Sequence, residues 1–278
     1  MTSSFEDTQY ILKKYHLKAN KKLGQNFLVN DEAISNIIDS SEINENDFVI
    51  EIGPGLGTLT SKLLEKAGKV IAIELDERMI DILTDRFKLY SNFVLLHEDI
   101  LKVNLQELIR TEKDRLTSVK VVANLPYYIT TPILMKLLEE KLPIESITVM
   151  VQKEVAERIT ATPGDKLSGA ITYSVNYYAD AEKVVFVDKS SFMPSPEVDS
   201  EVIKLTIRKE PKVVVQNEKL FFQVIRASFM QRRKTLWNGL TNAKLVQDKE
   251  KLREIWEKLG LAPSVRGEKL TLEQFAEL

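Results

Sequence analysis

The amino-acid sequence reads as an α/β protein: a doubly wound, mainly parallel sheet with an antiparallel edge, followed by a small all-α C-terminal domain. Three features of the 278 residues point there. Short apolar runs rich in β-branched residues recur through the first half, the mark of strands buried on both faces. Amphipathic stretches at helical spacing lie between them, which is the βαβ rhythm of a sheet covered by helices. Towards the C-terminus the strand pattern stops, and only short helical stretches follow.

Taken in order, the chain opens on a polar leader. Asn30 is then placed to cap a helix whose first turn carries Asp31 and Glu32 and whose apolar face is Ile34, Ile37 and Ile38. Buried strands are predicted at residues 48–52, 70–73, 93–96, 119–123 and 147–151, with helices at 59–67, 79–87 and 132–138. Residues 184–187 and 201–207 read as two more strands. The Pro-bearing loop between them is too short for a helical crossover, so they should form an antiparallel edge pair. Residues 209–215, around Pro211, read as a linker, and 218–278 as short helices, one over 249–259 ending at Gly260. The predicted domains are therefore residues 1–208 and 209–278.

Composition narrows the function before any motif is read. There is no cysteine, and His16 and His97 are the only histidines, so disulfides and thiol catalysis are excluded and no metal is expected. The first fifteen residues lack the apolar stretch of a secretory leader. No later run approaches the roughly 20 apolar residues that span a bilayer, so a cytoplasmic protein without membrane association is expected. Nothing demands more than a monomer. A net charge of −2 lacks the global basic signature of a nucleic-acid binder. The charge is unevenly placed, however. Lys13, Lys14, Lys18, Lys21 and Lys22 cluster early, and Arg226, Arg232, Arg233 and Lys234 cluster late with no acid among them. Either run alone reads as readily as a solvated face; the two together suggest a phosphate-binding surface.

Val49-Ile50-Glu51-Ile52-Gly53-Pro54-Gly55-Leu56-Gly57-Thr58 is a buried strand running into a glycine-rich turn and a helix. Such a turn lets a ligand approach the backbone closely at the carboxyl ends of the strands. Dinucleotide folds use the same device. Here Thr58 stands where their third glycine belongs, and Glu51 puts a carboxylate where it would repel a pyrophosphate. That carboxylate suits a cationic, zwitterionic ligand such as S-adenosylmethionine. Glu74, ending the second strand about 20 residues on, is placed to accept from both ribose hydroxyls; its other reading is a solvent-facing strand-end charge. Asp99, just past the third strand, should face the same crevice and accept from an adenine amino group.

Asn124-Leu125-Pro126-Tyr127 follows the fourth strand directly. The amino nitrogen of adenine is a poor nucleophile because its lone pair is delocalised into the ring. Acceptors aimed at its two N–H bonds can pyramidalise it and stabilise the positive charge that develops during transfer. The Asn124 side-chain oxygen and the Leu125 carbonyl can be those acceptors, Pro126 fixes the turn, and Tyr127 offers a ring for stacking on an extruded base. The alternative is an ordinary turn with a packed aromatic.

With these residues in order, the chain resembles the ribosomal RNA adenine N6-dimethyltransferases of the KsgA (RsmA) type nearly end to end. The motifs that carry the resemblance are Gly24-Gln25-Asn26-Phe27-Leu28, Glu51-Ile52-Gly53-Pro54-Gly55, the Asn124 tetrad, Phe192-Met193-Pro194-Ser195-Pro196 with Val198-Asp199-Ser200, and Phe229-Met230-Gln231-Arg232-Arg233-Lys234-Thr235-Leu236. The resemblance implies a Rossmann-like methyltransferase sheet. It also implies a cytoplasmic enzyme that dimethylates two adjacent adenosines near the 3′ end of small-subunit (16S) rRNA, within a pre-30S particle. S-adenosylmethionine would be consumed and S-adenosylhomocysteine released. Asn26 and Leu28 would cover the methionine end of the cofactor, with Gln25 also in its site, and Gly53 would contact it through the backbone beside Gly55 and Glu51. Glu74 would hold the ribose and Asp99 the adenine, with Asn124 between donor and acceptor. Phe192 would be the second stacking ring, opposite Tyr127; read alone it is a core Phe before a Pro-rich turn. Arg226, Arg232, Arg233 and Lys234 would contact RNA, as would Lys21 and Lys22.

Three rival readings remain. Erythromycin-resistance methylases resemble the chain in the cofactor turn and tetrad but modify large-subunit rRNA; the developed helical tail and the segment from Phe192 favour the small-subunit type. A non-catalytic nucleic-acid-binding protein on the same fold is opposed by the complete tetrad. A nicotinamide-dependent oxidoreductase is opposed by the missing third glycine.

Overall fold

The computed structural model describes residues 2–20, 23–231, 233–246 and 248–278. Helix α1 (Ser4–Lys14), strand β1 (Phe27–Leu28) and helix α2 (Asp31–Ser40) come first. Strands then alternate with helices: β2 (Asp47–Ile52), α3 (Thr58–Lys66), β3 (Lys69–Glu74), α4 (Glu77–Phe87), β4 (Phe93–His97), α5 (Leu105–Glu112), β5 (Ser118–Asn124), α6 (Thr130–Glu139) and β6 (Ser146–Gln152). Helices α7 (Lys153–Ile159) and α8 (Ala170–Tyr178) lead to β7 (Ala179–Val187), β8 (Phe192–Met193) and β9 (Ser200–Ile207). Four further helices follow: α9 (Glu218–Met230), α10 (Leu236–Asn242), α11 (Lys249–Lys258) and α12 (Leu272–Glu277).

Seven strands form one mixed sheet in the order β4-β3-β2-β5-β6-β9-β7. Pairing is parallel from β4 through β6, and β9 runs antiparallel to β6 with Val149 opposite Ile203. This is the expected Rossmann-like sheet. The two late strands lie side by side at the edge of the sheet as expected, β9 next to β6 and β7 outermost. From β2 the chain winds outward through β3 to β4, and β5 then returns to the other side of β2. The carboxyl ends of β2 and β5 therefore border a topological switch point, where such sheets bind ligands.

Burial follows the apolar pattern. Every residue of β2 is buried, and α2, α3 and α4 bring Ile34, Ile37, Leu59, Leu63, Ile82 and Leu83 into one cluster with Val49, Val70 and Val122. Each such side chain contributes roughly 1.5–3 kcal/mol by leaving water. Asn30 caps α2 as expected, its side-chain oxygen accepting from the Ala33 N–H at 3.0 Å. At the amino ends of the strands, Lys120 donates to Asp47 at 2.9 Å and to the Glu42 carbonyl at 2.7 Å. Both side chains are buried.

Helices α1, α5, α7 and α8 and the two-residue strands β1 and β8 lie where the sequence reading placed no element. The polar leader contains α1, closed by a reciprocal cap in which Ser3 and Glu6 satisfy each other's backbone N–H groups. Helix α5 lies where no element was expected and is capped by Asn104, which accepts from the Glu107 N–H.

Contacts divide the chain into two compact units, Met1–Ala156 with Glu182–Ile207, and Glu157–Ala181 with Arg208–Leu278. The second is helical and organised around Tyr173. That side chain is fully buried, its hydroxyl donates to the Leu270 carbonyl at 2.6 Å, and its ring meets Phe275 edge-on at 4.9 Å. Among the described residues no helix is long and apolar enough to cross a membrane.

Candidate active site

The carboxyl ends of β2, β3 and β5 open into a cleft of about 1080 Å³, counting the solvent at its mouth, and its lining belongs wholly to the first unit. One wall is the glycine turn after β2. Leu23–Leu28 and Asn124–Ile129 line it as well. Gln25, Asn26, Leu28, Glu51, Gly53, Gly55, Glu74, Asp99, Asn124, Leu125, Pro126 and Tyr127 all line it. Residues far apart in the chain thus meet because each lies at or just past the end of a neighbouring strand, or in and just before the short strand β1.

The turn after β2 is shaped by positive φ at Gly53, Gly55 and Gly57. At Gly55 a side chain would meet the Phe27 ring at 3.5 Å and stand in the cleft. The turn is tied to β3 through Glu74, whose Oε2 accepts from the Gly55 N–H at 3.2 Å while Oε1 accepts from the Leu75 and Asp76 N–H groups at 2.8 Å. Burial nevertheless raises the Glu74 carboxyl above its ordinary range, with the three N–H groups opposing the shift. Its Oε2, holding one long bond, keeps room for a further donor.

Glu51 is 1% exposed and lies under the same turn. Burial pushes its carboxyl up to about 8, against the Thr60 hydroxyl that donates to it at 2.7 Å and with the repulsion of Glu74 added. At neutral pH the ligand-free protein therefore holds this group mostly protonated. Asp99 is half-buried, and its Oδ1 accepts from the Leu101 N–H at 3.0 Å.

Gln25 is held from below. Its Nε2 donates to Asp76 at 2.7 Å and its Oε1 accepts from the Asn20 N–H at 2.8 Å. Arg78 pairs with Asp76, and this bond is the main cause holding that carboxyl below its ordinary range. Neither Asp76 nor Arg78 was singled out in the sequence. Asp76 caps α4 three residues ahead of Met79, a signal available there.

At the far end, Asn124 ends β5 and its Nδ2 donates to the Asn26 carbonyl at 3.4 Å, which directs Oδ1 elsewhere. Among the described residues neither Asn124 Oδ1 nor the carbonyl of the buried Leu125 accepts a hydrogen bond. Tyr127 begins a single tight turn, and its hydroxyl shares a 2.7 Å hydrogen bond with Ser200 at the start of β9. The structure thus brings two unengaged oxygens and an aromatic ring to the cleft beside the glycine turn.

Phe192 is not brought into this lining. It is 5% exposed, pairs with Leu28 across the β1–β8 ribbon and packs in the core. Arg226, Arg233 and Lys234 are exposed residues of the second unit. Lys21, Lys22 and Arg232 lie outside the described residues. The cleft further includes Leu75, Tyr128 and Ile133, which no motif marked. Among the described residues no group of three or more Asp, Glu or His side chains is arranged to hold a metal ion.

Comparison with known proteins gives consistent matches. The family model "Ribosomal RNA adenine dimethylase" matches residues 16–278. The "Ribosomal RNA small subunit methyltransferase A" of Clostridium botulinum (strain Okra / Type B1) is 50% identical over 98% of this chain and 97% of its own. A crystallised dimethyladenosine transferase from Plasmodium falciparum is 29% identical, with a TM-score of 0.73, over 90% of this chain and 95% of that one. The 23S rRNA methyltransferase ErmE, at 23% identity and a TM-score of 0.67 over 91% and 97%, shares the fold.

Proposed function

The chain belongs to the ribosomal RNA adenine dimethylase family, and we infer from that membership and from the cleft how it carries out the family's reaction. It is an S-adenosylmethionine-dependent adenine dimethyltransferase of small-subunit rRNA. The finer reading is that two adjacent adenosines near the 3′ end of that RNA are dimethylated at N6 within a pre-30S particle, by a cytoplasmic monomer. Residues 1–208 are proposed to carry the catalysis. Residues 209–278 are proposed to be a small helical domain whose Arg226, Arg232, Arg233 and Lys234 contact the RNA.

The residues present fit the methyl donor. Glu74 has acceptor capacity at Oε2 for a ribose hydroxyl, Gly53 and Gly55 leave the backbone bare, and Glu51 offers a carboxyl that a cationic neighbour would ionise. Asp99 retains an oxygen for the adenine amine, and Gln25, Asn26 and Leu28 form the side that covers the methionine end. S-adenosylmethionine supplies an electrophilic methyl group on a sulfonium.

What this chain adds is control of the acceptor. Asn124 Oδ1 and the Leu125 carbonyl accept the two N–H bonds of the target amine, turning its lone pair out of conjugation. They oppose the positive charge that grows on nitrogen. No ionised base is needed first, since the proton leaves after the methyl has arrived. Tyr127 stacks on the extruded base, its ring fixed by the hydroxyl bond to Ser200. Phe192 can serve as the opposite ring only if the β1–β8 ribbon shifts to uncover it, because 5% exposure leaves no free face. The observation that carries the reading is the pair of unengaged oxygens at Asn124 and Leu125, next to the glycine turn.

The test is mass spectrometry of rRNA from a strain lacking this protein. N6-dimethyladenosine should vanish from the small-subunit RNA, return with the wild-type gene and stay absent with Asn124→Ala. Unchanged dimethyladenosine in the deletion strain would overturn the assignment.

A further inference from the structure

We propose that Tyr128 is a second base-stacking ring of this site, one that holds the nucleotide next in the RNA chain to the base engaged by Tyr127. This rests on the methyltransferase reading above. Tyr127 and Tyr128 occupy successive positions of one tight turn, Tyr127–Ile129. In such a turn successive side chains diverge by about 120°, so the two rings cannot serve the same base.

Their surroundings differ accordingly. Tyr127 is half-buried and tied through its hydroxyl to Ser200, whereas Tyr128 lines the cleft yet is 58% exposed, with no hydrogen bond to its hydroxyl among the described residues. Tyr128 also has the Gly24 loop close to one side. A Cβ on Gly24 would lie 3.5 Å from its ring and 3.9 Å from Pro126, so the Gly24 loop passes close to the ring on that side. The ring thus stands beside the Gly24 loop and is open towards solvent at the cleft.

An RNA strand that sends one base into the cleft must leave its neighbour near the mouth, unstacked on the side from which the target departed. A solvent-facing ring restores that lost stacking. It does so with little regard to which base is present, though purines, with more π-surface, are held better than uridine. The hydroxyl, having no partner among the described residues, plays no necessary part, so phenylalanine should replace Tyr128 without loss.

The experiment uses small-subunit particles reconstituted with rRNA transcripts carrying either a purine or a uridine beside the target adenosine. Initial rates are measured for wild type, Tyr128→Phe and Tyr128→Ala, alongside calorimetric affinity for S-adenosylmethionine and the melting temperature. Wild type and Tyr128→Phe should show a lower KM for the purine-flanked particle. Tyr128→Ala should raise that KM by about tenfold, within the range of stacking losses on alanine substitution. It should also abolish the preference between purine and uridine while leaving kcat and donor affinity near wild type. An unchanged KM, or a purine preference that survives in Tyr128→Ala, overturns the proposal. So does a loss confined to donor affinity, which would make the ring a cover for the cofactor. If Tyr128→Ala fails to fold, wild-type indifference to the flanking base is the result that overturns it. A wild-type protein that methylates neither particle refutes the underlying function instead, and this inference with it.

Discussion

At the scale of single residues, the cleft separates groups that hold the donor from groups that prepare the acceptor, and substitution should separate them too. Glu74→Ala removes a charged acceptor and should weaken S-adenosylmethionine binding by about 10- to 100-fold, the range for hydrogen bonds to charged groups. Asn124→Ala should instead lower kcat by about 100-fold or more, as loss of one transition-state hydrogen-bond partner does, with donor affinity within a few-fold of wild type. Calorimetry and single-turnover rates distinguish the two, and near-normal turnover in Asn124→Ala would show the tetrad to be misassigned. Glu51 makes a pH-dependent case. Its carboxyl sits at about 8 against an ordinary 4.5, so between these values the folded ligand-free protein holds a proton that the unfolded chain has lost. The stability it contributes is complete below the ordinary value and is lost as pH rises through about 8. Glu51→Gln should therefore flatten the fall in melting temperature across that interval. A cation bound beside Glu51 favours the ionised form, so wild-type affinity for S-adenosylmethionine should climb with pH up to about 8, a climb the variant lacks. Parallel pH profiles for the two proteins would remove Glu51 from the site. Glu74, Asp99 and Asn124 were legible because each follows the end of a predicted strand. The protonation of Glu51 was not, since it depends on complete enclosure; for Phe192 the sequence left core packing and base stacking open, and its pairing with Leu28 far away in sequence is what buries it.

At the scale of elements, the join between β2 and α3 is fixed by packing as well as by the ligand. Gly57 has φ +84°, and a Cβ there would stand 2.5 Å from Phe87 at the end of α4. Phe87 cannot easily retreat, because its ring lies 5.2 Å from Phe93 and 5.9 Å from Tyr90 in edge-on contacts. Gly57→Ala should thus cost about 2–5 kcal/mol, backbone strain and overpacking together. Adding Phe87→Leu should recover the steric part, so that the pair costs less than the sum of the single changes; strict additivity in denaturant unfolding would refute the clash. The parallel strands could be read from the sequence because burial on both faces leaves continuous apolar runs. Helices α1 and α5 were missed although their capping signals stand in the chain, Ser3 with Glu6 and Asn104 with Glu107. Each buries only two residues, Thr8 and Ile11 in one and Leu105 and Ile109 in the other, so the apolar stripe that marks a helix is faint. Helix α8 fails for the opposite reason. Seven of its nine residues are buried, and a stretch buried nearly all round, with Thr172 and Ser174 among the enclosed residues, carries no apolar period that separates helix from strand.

At the scale of the whole molecule, a net charge of −2 must be reconciled with an RNA substrate. The protein's overall field does not draw a polyanion in, so affinity has to come from local basic runs and from shape. The run from Arg232 to Lys234 is the sharpest test. Arg233 and Lys234 are exposed, and no acid lies within that run or for several residues on either side. Each phosphate neutralised by such a side chain releases counterions, so the slope of log affinity against log salt counts the contacts, at about 0.7 to 0.9 per phosphate. Replacing Arg232, Arg233 and Lys234 together by alanine should reduce that slope by about 2 in binding to undermethylated small-subunit particles, with donor affinity and melting temperature unchanged. The same variant should lose proportionally less at high salt, where wild type has already given up its electrostatic share. A drop in melting temperature with an unaltered slope would assign the run to packing inside the helical unit and leave recognition to shape, as the acidic balance of the chain alone would suggest.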